Sequence, residues 1–97
     1  MITTVRITKR AQKDLRKVPE HIARKLRRWV DDVEEDGLEE VRKVLGYHDE
    51  PLKGEREGQR SIRLSRSYRA IYEVKIDNEL EVDLEFVSVE EVNKHDS

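Results

Sequence analysis

Arg63 and Arg69 are the side chains of this sequence best suited to hold an anion, because the pattern around them brings them together across a tight turn. Ile62 and Leu64, then Tyr68, Ala70 and Tyr72, alternate with polar residues at strand period, and Ser65-Arg66-Ser67 separates the two runs. A turn centred on Arg66 sets Leu64 opposite Tyr68 and Arg63 opposite Arg69, with both arginines on the face away from Leu64, Tyr68 and Ala70. Like charges facing each other on a sheet are unfavourable unless an anion or solvent lies between them. A phosphodiester suits such a pair, because guanidinium forks match its geometry and stay charged at any working pH. The competing reading is a solvated sheet face coated with arginine.

Proton transfer needs a different residue type. His95 is the best acid/base candidate, since imidazole is the side chain that exchanges protons near neutral pH. His48, in a loop beside Tyr47, is a lesser candidate, and His21 falls on a helix surface. The three histidines lack metal-ligand spacing, so no metal site is expected. Glu90 and Glu91 could orient the arginines or act as a base; solvated charge is the plainer reading. Lys53 precedes two glycine hinges, Gly54 and Gly58, without the spacing of a nucleotide-binding loop.

The run Leu-Lys-Gly-x-Arg-x-Gly-Gln-x-Ser-Ile-Arg-Leu over residues 52–64, then Tyr-Arg-Ala-Ile-Tyr over 68–72 and a terminal Lys-His-Asp, resembles the RelE/HigB superfamily of bacterial toxins from type II toxin-antitoxin modules. The similarity covers nearly the whole chain. It implies an endoribonuclease that needs neither metal nor cofactor, cuts messenger RNA in the ribosomal A site, inhibits translation and is silenced by a cognate antitoxin. It also implies that Lys53, Arg63 and Arg69 contact the phosphate and the transition state, with His95 near the scissile bond. Such chemistry needs a base for the 2′-hydroxyl, an acid for the 5′-oxygen, and cations for the charge that builds on the phosphate. The family tail continues with tyrosine where this chain has Ser97, which leaves an attenuated, antitoxin-binding protein as an alternative. A further alternative is a gyrase inhibitor like the ParE toxins, which share the fold and usually lack the basic set.

The net charge of −2 hides strong segregation. Val5 to Arg28 holds ten Lys or Arg against Asp14 and Glu20, a net of about +8, and Lys53 to Tyr72 comes to about +4. The rest of the chain is correspondingly acidic. Lys9, Arg10 and Lys13 on the first helix, Arg56, Arg60 and Arg66 around the hairpin, and Lys94 near the end are the residues expected to attract RNA phosphates.

Ninety-seven residues fit one domain with a modest core, since only 35% are hydrophobic. Cysteine is absent, which excludes disulfides and thiolate metal sites, and no apolar run has the length of a membrane span or signal peptide, so a cytoplasmic protein without membrane contact is expected. Thr3, Val5 and Ile7 alternate in a first strand from about Ile2 to Ile7, and Thr8 can cap a helix whose apolar face is Ala11, Leu15 and Val18. Pro19 starts a second helix along Ile22, Leu26, Trp29, Val30 and Val33, closed by Gly37. A short helical stretch through Leu38, Val41 and Val44 follows, then a break at residues 46–51. Val82, Leu84 and Phe86 suggest the last strand. Its apolar parity switches at Val87, through a bulge, a change of partner or burial on both faces. The expectation is a single α+β domain over residues 1–97, with an N-terminal strand and a helical hairpin packed on one face of a mostly antiparallel twisted sheet, the RelE-like architecture.

Overall fold

The computed structural model describes residues 1–79 and 81–94, and among these five strands, three α-helices and two 3₁₀ turns make up the regular structure. The sheet runs in the order β1-β5-β4-β3-β2, with strands Val5–Ile7, Glu50–Pro51, Arg60–Arg63, Tyr68–Asp77 and Leu84–Lys94 numbered along the chain. Only the β1–β5 pair is parallel. The sequence therefore foretells the α+β class, the central hairpin and the placement of the first strand in the same sheet. Among the described residues no helix is long and apolar enough to cross a membrane.

Helix α1 (Lys9–Leu15) starts where Thr8 accepts a hydrogen bond from the Ala11 amide at 3.1 Å. Helix α2 (Glu20–Asp36) follows Pro19, and its stripe Ile22, Leu26, Trp29 and Val33 is fully buried. It ends at Gly37, whose φ of +88° suits glycine, and a Cβ there would stand 2.7 Å from the Met1 side chain. Helix α3 (Leu38–Val41) and a 3₁₀ turn at Leu45–Tyr47 lead toward β2. These helices pack on the sheet face that carries Ile62, Leu64, Ala70, Tyr72, Val87 and Val89. Trp29 and Tyr72 join the two layers with ring centroids 5.1 Å apart.

The first strand is shorter than its alternation suggests, although Thr4 still accepts from the Val87 amide at 2.8 Å. Past Ile7 the edge of β5 loses its strand partner, and α1 takes over. The Thr8 hydroxyl donates to the Glu90 carbonyl at 3.0 Å, and the Val92 amide donates to the Asp14 carboxylate at 3.0 Å. Backbone groups that would otherwise be unpaired are thus met by side chains.

The parity switch in β5 has two of the three expected causes at once. Register is continuous from Leu84 to Val89, and residues 86–89 are all buried: Val87 faces the helices, Phe86 lies under the Arg6 guanidinium 4.1 Å away, and β1 joins at Val87. The bulge comes later, at Glu90, where the β4 register skips between Ile71 and Tyr72. Val82, expected in the last strand, precedes it and is exposed.

This packing predicts a contrast in stability. Leu26→Ala should cost about 2–5 kcal/mol in urea unfolding, whereas Val82→Thr should stay within about 0.5 kcal/mol.

Candidate functional site

The open face of the sheet, away from the helices, carries two neighbouring cross-strand rows. Arg63 lies opposite Arg69 and Arg69 opposite Asn93, the register the sequence pattern implies. In the adjacent row Glu50 faces Ser61, Ser61 faces Ile71, and Ile71 faces Glu91. Residues two apart share a face, so the bulge at Glu90 is what turns Glu91 and Asn93 to this side while Val89 and Val92 stay in the core.

Arg63, Arg66 and Arg69 line a small cleft of about 50 Å³ together with His48, Glu50 and Tyr68. Among the described residues no carboxylate pairs with Arg63 or Arg69. The Arg69 Nε is buried and has no hydrogen-bond partner there. A buried donor left unmet is costly.

His48 reaches the cleft because its backbone turns left-handed, with φ of +48°, directly after the 3₁₀ turn. Its Nε2 stands 3.5 Å from a Glu50 carboxylate oxygen. The residue between them sets this geometry. The Asp49 carboxylate, 1% exposed, accepts from Arg60 Nε at 2.6 Å and from the Tyr72 hydroxyl at 2.5 Å. Burial, and then the bond to Asp49, push the Tyr72 phenol well above its ordinary pKa. With Asp49 pinned into the sheet, His48 and Glu50 on either side are presented to the arginines.

The other expected site residues divide. Arg60 has its guanidinium committed to Asp49 on the core side of β3, so its place is structural and not among the outward RNA contacts expected of it. Lys53 is exposed at the start of the turn Gly54–Arg56 and is not among the residues lining the cleft. Lys9, Arg10 and Lys13 are exposed on α1, Arg66 is exposed at the hairpin turn, and Lys94 ends β5 opposite Tyr68. His95 and Ser97 lie outside the described residues.

Glu91 is buried rather than solvated. Its carboxylate meets Arg56 Nη2 at 2.9 Å, the Asn93 amide at 2.5 Å and Arg10 Nη1 at 3.7 Å. Burial pushes its pKa up, but Asn93, Arg56 and Arg10 together hold it below the usual carboxylate value. Glu50, which the motif does not single out, lines the cleft with His48. Its signal was parity: in a strand ending at Pro51, Glu50 would share a face with Ser61 and hence with Arg63.

The geometry defines a small α+β protein with an arginine-lined cleft at a sheet hairpin. A family model described as the ParE toxin of type II toxin-antitoxin systems, parDE, matches residues 5–89, and the chain belongs to that family. It is the toxin component of a type II toxin-antitoxin module. Its fold is similar to that of a YoeB/ParE toxin from Agrobacterium tumefaciens, at 19% identity and TM-score 0.69 over 96% of this chain and 99% of that one. It is also similar to the RelBE2 toxin-antitoxin complex from Mycobacterium tuberculosis, at 27% identity and TM-score 0.64 over 98% and 100%, and to YafQ from E. coli, at 16% identity and TM-score 0.70 over 94% and 91%. The RelE/HigB superfamily resemblance carried by the hairpin motif agrees with these neighbours. No curated protein sequence matches the chain.

Glu91 provides a test by pH. Its folded pKa is depressed, so its contribution to stability is complete above the unfolded value of 4.5 and is lost as pH falls through the folded value. The difference in urea midpoint between the parent protein and Glu91→Gln should be largest near neutrality and shrink steadily below about pH 4.5. In the same assay Asp49→Ala should cost about 3–5 kcal/mol, because it leaves Arg60 without its partner.

Proposed function

We propose that this toxin is a messenger RNA endoribonuclease of the metal-independent kind, acting in the ribosomal A site and held inactive by a cognate antitoxin. The observation that carries the reading is the Arg63–Arg69 pair, which no carboxylate neutralises among the described residues and which lines a cleft shared with His48 and Glu50. In this reaction the 2′-hydroxyl attacks the adjacent phosphorus, the bond to the 5′-oxygen breaks, and a 2′,3′-cyclic phosphate and a free 5′-hydroxyl result. The two guanidiniums hold the non-bridging oxygens, where charge grows in the transition state. His48, beside Glu50, takes the 2′-hydroxyl proton, and His95 delivers one to the departing oxygen. Lys53 adds positive charge from the loop. Outward aromatic side chains are scarce, since Tyr72 and Trp29 are in the core, so grip on the RNA rests on phosphates and on the ribosome.

The antitoxin follows from the family and from relatives such as the YoeB–YefM complex of Staphylococcus aureus and the DinJ–YafQ complex of E. coli. A second reading, inhibition of DNA gyrase without chemistry, is favoured by the ParE description of the matching family.

Mapping RNA ends after a brief pulse of expression, with and without translation, separates the two. The nuclease reading expects new 5′ ends within translated messages, abolished by the Arg63→Ala, Arg69→Ala double variant and reduced about 10²–10⁴-fold by His48→Gln. Intact RNA together with a DNA-damage response would establish gyrase as the target.

A further inference from the structure

Glu91 is more than neutralised. A single guanidinium balances one carboxylate, yet two converge here from separate elements: Arg56 from the turn after Lys53, on one oxygen, and Arg10 from α1, on the other. The Asn93 amide occupies the first oxygen as well, so the carboxylate is fully engaged and 7% exposed. Both arginines keep much of their side chains in solvent, 44% for Arg56 and 67% for Arg10. A guanidinium carries five N–H donors; Arg56 spends a second one on Gln59 Oε1 at 3.2 Å, and the remaining donors of both groups have no partner among the described residues. The cluster thus presents a surplus positive charge, with Arg56 fixed by hydrogen bonds and Arg10 drawn in by a longer ion pair.

Its position gives that surplus a use. Glu91 lies on the same sheet face as the Arg63–Arg69–Asn93 row, one row away and two residues along β5 from Asn93. Two residues of strand span about 6.7 Å, close to the interval between successive phosphates of an extended RNA strand. Without an anion, this collects five arginines, at positions 10, 56, 63, 66 and 69, against Glu50 and Glu91, while Glu73 and Glu90, next to the cluster, are held by Lys75.

We propose that Arg10 and Arg56, braced by Glu91, form a second phosphate subsite one nucleotide along from the Arg63–Arg69 pair, so that the protein takes single-stranded RNA through two consecutive phosphodiesters. The proposal rests on the reading of the arginine pair as the scissile-phosphate site. Glu91 serves as the brace: it aims two flexible side chains and lowers the entropy lost when they close on the strand. The arrangement couples α1 and the Lys53 loop to the cleft through one carboxylate.

The test compares two uncleavable 2′-O-methyl probes, a dinucleotide with one internal phosphodiester and a trinucleotide with two, titrated onto the full chain by NMR at several salt concentrations. Arg10→Ala should weaken the trinucleotide about tenfold and lower its log–log salt slope by about 0.7, while the dinucleotide binds as before. Arg56→Ala should repeat the trinucleotide result from a different element, which guards against a folding defect in either variant. Arg63→Ala should weaken both probes. The subsite is overturned if both outer variants bind the trinucleotide like the parent, if they weaken the two probes equally, or if the parent does not bind the trinucleotide. If the outer variants weaken the trinucleotide and Arg63→Ala weakens neither probe, the scissile-site reading fails instead.

Discussion

The buried carboxylate of Asp49 is the link on which the cleft's scaffold depends. It joins Arg60 on β3 to Tyr72 on β4, and so fastens a strand of only two residues to the sheet. A buried charge is tolerable only when its partners are in place, so Asp49 ties the 3₁₀ turn, the left-handed His48 and β2 to the sheet. Tyr72 passes the constraint inward, because its ring rests against Trp29 of α2 while its hydroxyl holds Asp49. The cleft is therefore built from the core outward: helix packing fixes Tyr72, Tyr72 fixes Asp49, and Asp49 fixes the two groups that face the arginines.

A second constraint acts from the other side of the sheet. One extra residue at Glu90 turns Glu91 and Asn93 to the open face without moving Val92 out of the core. The cost of that irregularity is contained by α1, whose Thr8 and Asp14 side chains take up the Glu90 carbonyl and the Val92 amide. The same helix supplies Arg10 to Glu91. Strand irregularity, helix capping and charge placement thus meet within five residues of β5.

Much of this was legible in the sequence, and the limits have physical causes. The Arg63–Arg69 pairing follows from strict alternation on both sides of a short turn, a local signal with one consistent register. The α2 stripe and its glycine stop are equally local. Strand β2 was hidden because residues 46–51 have no period, and its pairing depends on a contact between Asp49 and Arg60 that composition does not reveal. The charge of Arg60 points to the outward cations, whereas its parity with Ile62 and Leu64 places it on the apolar side. Glu91 read as solvated because its partners arrive from helix and loop, far away in sequence.

The single tryptophan of the chain has a consequence of another kind. Trp29 is wholly enclosed, and its indole lies against the ring whose hydroxyl binds the pinned carboxylate. Its emission is therefore a built-in optical probe of the hydrophobic interior on which the cleft's scaffold rests, with no label attached.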